Sequence, residues 1–305
     1  MPSSTAVDQA ILKALGVPAT SSAKLTPHGG SGFASSYKLT ITADDKTNPP
    51  KITHYFVKTG TGPSSEIMFR GEHASLNAIH FTVPSFCPKS YAHGALSSSP
   101  STYFLATDFL DLNPTSSSSS SSTEKPQSLA QKLAKLHSTP APIPAGFTKP
   151  MFGFPVTTCC GSTEQDNNWK ESWAEFYADN RLRRILRQGI ERNGQDTALS
   201  EAVETVAGKV VPRLLGEGHL KGVVPVVVHG DLWSGNHGRG RLQGSGGVEE
   251  VVYDPSSVYG HSEYELGIMK MFGGFGGGFW SEYGKLVGKS EPVGEWEDRV
   301  ALYEL

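Results

Sequence analysis

The chain has 305 residues, enough for two lobes with cores of their own, and an ordinary globular composition rich in glycine and proline. Its net charge of -3 comes from interspersed signs, so no basic face points to nucleic acid as a partner. No apolar run approaches the roughly 18–20 residues that span a bilayer, so no membrane partner is expected, and the start MPSSTAVDQAILKALG lacks the basic-then-apolar layout of a secretory signal.

That start reads as a short helix capped by Ser4 or Thr5. A glycine cluster, PHGGSGFASSYKL (27–39), follows. Two strands come next, SYKLTITA (36–43) and ITHYFVK (52–58), with DDKTNPP turning between them. Residues 64–80 carry Met68, Ala74, Leu76, Ala78 and Ile79 at helical spacing, with Ser64 or Ser65 as the cap. STYFLATDFLDL (101–112) is a further buried strand. The serine tract Ser116–Ser122 has nothing to bury and reads as a flexible linker, which puts a lobe boundary at 111–127. Beyond it the chain is mainly helical, with SLAQKLAKLH (128–137), 168–193 and 198–215 as amphipathic segments. The proline-rich 139–155 must be extended or looped. Two short strands, VPVVVH and EEVVYD, flank HGDLWSGN (229–236). Cys87, Cys159 and Cys160 are too few and too awkwardly spaced for a disulfide framework or a zinc site, and read as reduced thiols of a cytoplasmic protein. By its periodicity the closing RVALYEL lies within a helix.

Phosphoryl transfer needs a carboxylate to take the acceptor's proton, oxygen ligands for Mg²⁺, a cation on the phosphates and a backbone cradle over them. Asp231 and Asn236 stand five residues apart in one loop, the spacing of a kinase base and its metal-binding amide. Eighteen residues on, Asp254 ends a strand, where a charged Mg²⁺ ligand belongs. Lys58 ends a strand and could reach the phosphates of ATP, with Glu72 as its ion-pair partner and Glu66 as the competitor. Gly29, Gly30 and Gly32 would let backbone N–H groups approach phosphates, although a hairpin turn explains the cluster equally well. GKLVGKS (284–290) is one residue short of a Walker A loop and has no buried strand leading into it.

Together these stretches resemble the fructosamine-3-kinase (ketosamine-3-kinase) family, within the wider group of protein-kinase-like phosphotransferases. HGDLWSGN carries the wider likeness and Trp233 the narrower one. DPSSVYGHSEYELGIMKMFGGF (254–275), the segment 152–182 with Cys159-Cys160-Gly161, and FVKTG with MFRGEHASLNAI extend it over nearly the whole chain. The resemblance implies an α+β bilobal fold with ATP and Mg²⁺ in the cleft. The expected N-lobe (1–110) is an antiparallel sheet plus one helix, and 128–305 is a mainly helical C-lobe. It implies phosphorylation of the 3-hydroxyl of a ketosamine, ribulosyl- or fructosyl-lysine on protein or free, whose unstable 3-phosphate eliminates and releases the lysine.

By position, Asp231 is then the base, Asn236 and Asp254 hold metal, and Lys58 with Glu72 orients the phosphates. Gly30, Ser31 and Gly32 form the nucleotide loop, with Ser31 where many members have cysteine. The backbone around Asp108, Phe109 and Leu110 is the adenine hinge. Trp233 is either a flat wall for the sugar or a core aromatic, and Phe272 and Phe275 either line the acceptor site or pack. His229 is expected to brace the loop. Ser262 and Glu265 stand where the family usually shows an Arg and an Asp, which puts in doubt whatever bracing that Arg gave the catalytic loop. Two alternatives stay open: a kinase for another hydroxylated amine such as an aminoglycoside or choline, and a nucleotide-binding pseudokinase.

Overall fold

The computed structural model describes residues 6–31, 34–43, 50–114, 126–243, 245 and 247–305. The chain divides into two compact units, one of Met1–Gln127 with Gly238–Tyr253 and one of Ser128–His237 with Asp254–Leu305. The sequence pattern leads one to expect 128–305 as a single run; instead Gly238–Tyr253 groups with the first unit. The serine tract lies outside the described residues.

The first unit is built on a five-stranded antiparallel sheet. Its strands are β1 (Ser22–Ser31), β2 (Ala34–Thr42), β3 (Ile52–Thr61), β4 (Ser90–Ala95) and β5 (Thr102–Asp108), in the order β1-β2-β3-β5-β4. Alternation buries Leu39, Ile41, Val57, Phe104 and Ala106 together with Leu25 and Ile11. Ile11 comes from α1 (Gln9–Ala14), whose cap is Asp8 rather than Ser4 or Thr5, which lie outside the described residues. Asp8 also accepts the backbone N–H groups of Ser97 and Ser98, both at 2.9 Å, so one carboxylate caps the helix and ties down a loop.

Helix α2 (Pro63–Thr82) opens with proline in its first turn, where no N–H is required. It buries Phe69, Leu76 and Ile79, with Phe69 taking the place expected for Met68. A short strand β6 (Leu110–Asp111) pairs with His237–Leu242, which in turn pairs with Glu249–Val252.

In the second unit, α3 (Leu129–Ser138) starts in a capping box between Ser128 and Gln131 and buries Leu129, Leu133 and Leu136. Strands β7 (Thr158–Cys160) and β8 (Thr163–Gln165) form a hairpin whose turn includes Gly161 at φ +57°. Helix 173–193 begins at its Ser172 cap, so Asn168 to Glu171 stay outside it, and it widens into a π-helical turn over Tyr177–Arg183. Helix 197–215 does the same over Val206–Val210.

Strand Val226–Val228 pairs antiparallel with Val258–Gly260, and all six residues are buried. Trp173, Phe176, Tyr177, Val211, Leu215 and Tyr303 complete the core around them. Helices Ser262–Phe272, Gly277–Leu286 and Trp296–Tyr303 close the unit. Among the described residues no helix is long and apolar enough to cross a membrane.

Candidate active site

In the first unit, antiparallel pairing sets Lys58 of β3 between Ser36 and Leu105. Its ammonium reaches both oxygens of Glu72 on α2, at 2.8 and 2.9 Å, with both side chains mostly buried. Glu66 lies 3.4 Å from Arg70, one turn on along its own helix, so the competition for Lys58 resolves to Glu72.

The glycine cluster sits where β1 turns into β2. Gly30 pairs with Ser35 and Ser31 with Ala34, and a register shift falls between Pro27 and Gly30. Gly29 there has φ +78°, a conformation that only glycine adopts cheaply. Gly32 lies outside the described residues.

Asp108 closes β5, and its carboxylate accepts from the Lys89 N–H (2.9 Å) and the Tyr91 hydroxyl (2.7 Å). Phe109 lies under the Lys38 ammonium (4.3 Å) and edge-on to His28, while Leu110 starts β6 opposite Leu242.

In the second unit the valine strand is a rigid mount for the loop after it. Its exit is held by Glu265, fully buried, whose Oε2 accepts the His229 N–H and whose Oε1 accepts the Gly230 N–H at 3.0 Å. At Glu265 the departure therefore keeps a carboxylate, one methylene longer than aspartate, on two loop N–H groups. His229 is itself buried, and its Nδ1 accepts the Asp231 N–H at 3.3 Å. Gly230 has φ +81°, and a Cβ there would stand 2.1 Å from the Ser256 carbonyl oxygen.

Asp231 is held at both carboxylate oxygens. Asn236 Nδ2 donates to Oδ2 (3.1 Å) and to the Asp231 carbonyl (2.8 Å), and the Cys160 thiol donates to Oδ1 (3.6 Å). Burial pushes the Asp231 carboxyl up to about 6; the Cys160 and Asn236 hydrogen bonds oppose this, and the Glu265 and Asp254 carboxylates add to it. Cys160 is a participant that residue spacing gave no hint of, since 71 residues separate it from Asp231.

Asp254 stands at φ +55°, the one described non-glycine residue with positive φ. Among the described residues no three His, Cys, Asp or Glu side chains converge as a metal site. A divalent ion here would therefore rely on the Asn236 amide oxygen and the Asp254 carboxylate, with phosphate and water completing its shell. That hard-oxygen set suits Mg²⁺, and the amide's NH₂ is already engaged with Asp231. The mutual repulsion of Asp231 and Asp254 is a second sign that positive charge fits.

Trp233 is 39% exposed, so it is no core aromatic. Its ring lies over Gly235, where any side chain would collide with it. Phe272, 60% exposed, stands 5.9 Å from it between ring centroids. Phe275 instead packs with Phe279 and Trp280 and lies 6.1 Å from His237.

The model of the family described as fructosamine kinase matches residues 6–305. The mouse ketosamine-3-kinase is 31% identical over 302 residues, covering 93% of this chain and 88% of the relative. The chloroplastic protein-ribulosamine 3-kinase of Arabidopsis thaliana is 32% identical over 251 residues, covering 82% of this chain and 68% of the relative. A solved structure described as a fructosamine-3-kinase from Haemophilus somnus 129PT covers 97% of this chain and 86% of its own, with TM-score 0.70 and 21% identity. At that identity it speaks for a shared protein-kinase-like α+β fold.

Proposed function

The chain belongs to the fructosamine kinase family, and from that premise we propose that it is an ATP-dependent ketosamine 3-kinase acting in deglycation repair. The observation that carries the chemistry is Asp231, a partly buried loop carboxylate gripped at both oxygens and pushed up to about 6. A base of that strength is charged at neutral pH and still able to hold a proton.

Asp231 accepts the proton of the acceptor's 3-hydroxyl as that oxygen bonds to the γ-phosphorus. The bond from phosphorus to the bridging oxygen breaks, and ADP leaves with the electron pair. Lys58, fixed by Glu72, neutralises phosphate charge, and the backbone of Gly30 and Ser31 approaches the phosphates. Asp108, Phe109 and Leu110 supply backbone to the adenine. Asn236 and Asp254 would hold Mg²⁺, which spreads the charge developing on the phosphate oxygens. Trp233 and Phe272 offer the sugar exposed apolar faces. In the cytoplasmic setting proposed for the protein, Cys87, Cys159 and Cys160 would stay reduced thiols.

The substrate class draws support from the 31% and 32% identities to kinases of ketosamines and ribulosamines. Polycationic acceptors would want unpaired acidic residues. Here Asp179 is taken by Lys170 and Arg183, and Glu171 by Lys149. ADP release with ribulosyl-lysine and fructosyl-lysine, against kanamycin and choline, tests the proposal. Turnover confined to the last two would overturn it, and Mg·ATP binding without turnover of any acceptor would leave a pseudokinase.

A further inference from the structure

The β7–β8 hairpin is fastened more firmly than a surface hairpin needs to be. Thr158 and Ser256 both donate to Gln165 Oε1, at 3.2 and 3.0 Å. Asn167 Nδ2 holds the Val156 carbonyl and the Thr158 hydroxyl, both at 2.9 Å. Asn167 Oδ1 in turn accepts from Arg181, a buried guanidinium on the π-helical turn that also bonds the Asp166 carbonyl at 2.7 Å. Each side chain in the network, Thr158, Gln165, Asn167, Arg181 and Ser256, is buried, which makes loose arrangements costly. What this frame carries at its tip is Cys160, with its sulfur 3.6 Å from Asp231 Oδ1.

We propose that Cys160 is a positioning residue for phosphoryl transfer: its thiol donates to Asp231 Oδ1 and, with Asn236 on Oδ2, stops the carboxylate plane from turning. This rests on Asp231 being the base. A carboxylate held at one oxygen can swing about its Cβ–Cγ bond, and a base misplaced by an ångström loses rate steeply. The neighbouring thiol cannot substitute, because Cys159 lies one residue along the strand and its side chain points to the other face. Burial, then the adjacent Asp231, push the Cys160 thiol up to about 12, so near neutral pH it stays a donor rather than a nucleophile.

The test compares Cys160→Ala, Cys160→Ser and Cys159→Ala on whichever acceptor the wild type phosphorylates, with melting temperature as the folding control. Cys160→Ala should lower kcat about fivefold with KM for ATP unchanged, the scale of one weak, long thiol hydrogen bond. Cys160→Ser restores the donor and should recover most of that rate, while Cys159→Ala keeps wild-type kcat. The proposal falls if Cys160→Ala keeps wild-type kcat, or if folded Cys160→Ser is as slow as Cys160→Ala. It also falls if Cys159→Ala is slowed as much, which would make hairpin packing the cause. Wild-type turnover of kanamycin or choline alone would overturn the ketosamine reading and leave this comparison intact. A wild type that phosphorylates nothing would overturn both.

Discussion

Glu265→Gln isolates the latch on the catalytic loop. The wild-type carboxylate is fully buried and accepts two backbone N–H groups, from His229 and Gly230, with His137 Nε2 3.7 Å away. Hydrogen bonds to a charged acceptor contribute about 1.5–3 kcal/mol each. Glutamine keeps one acceptor oxygen but turns an NH₂ towards the other N–H, so one bond is lost and a buried donor is stranded. The expected cost is about 3 kcal/mol, a large part of a typical stability of about 5–15 kcal/mol. Urea unfolding reports it as a lower midpoint at unchanged slope. kcat should fall with it, because Gly230 leads directly into Asp231.

The pH dependence has a definite sign. Burial works to raise Glu265, but the His137 imidazole, the adjacent His229 imidazole and the His229 N–H override it and hold the carboxyl below its usual value. The latch therefore contributes fully above the unfolded carboxyl pKa of about 4.3 and is lost as pH falls through the lower folded value. Wild type and variant should differ most near neutrality and converge in acid. A variant within about 0.5 kcal/mol of wild type at pH 7, with unchanged kcat, would refute the latch.

Three further outcomes are expected. Asp231→Asn lowers kcat at least about 10²-fold while the protein stays folded, and an unchanged rate would remove the base from Asp231. Lys58→Met raises KM for ATP about tenfold or lowers kcat by as much, and by leaving the mostly buried Glu72 carboxylate unpaired it also costs about 3 kcal/mol of stability; steady-state kinetics beside a thermal melt separates the two effects. Gly230→Ala combines φ +81° with a Cβ 2.1 Å from the Ser256 carbonyl oxygen, so it should cost at least about 2 kcal/mol and most of the activity. A melting temperature equal to wild type would show that the loop can move aside.

The sequence discloses what repeats or clusters locally. Leu39 and Ile41 alternate as a strand must, α2 keeps one apolar face, and Asp231 with Asn236 fits one tight loop. Strand β1 escapes notice because Pro27, Gly29 and Gly30 interrupt it, and only pairing with β2 makes it a strand. The π-helical turns escape because an extra residue per turn shifts the apolar face without changing composition. Choosing Glu72 over Glu66 requires knowing how α2 lies against β3, which no pattern within α2 encodes. The reach of Glu265 to two loop N–H groups is visible only in three dimensions.

The grouping of Gly238–Tyr253 with the first unit bears on how the protein can be cut. A fragment ending at residue 127 would carry the five-stranded sheet yet lack the two strands beyond β6. Leu110 would lose Leu242, and the Phe86 carbonyl would lose the Val252 N–H that reaches it at 2.8 Å. Such a fragment ends in an unpaired edge, a template for aggregation. A chain nicked within the serine tract keeps every one of these partners, shared between its two pieces. Dissecting the protein for separate study therefore calls for a break in the backbone at that tract, with both pieces present, rather than for a truncation.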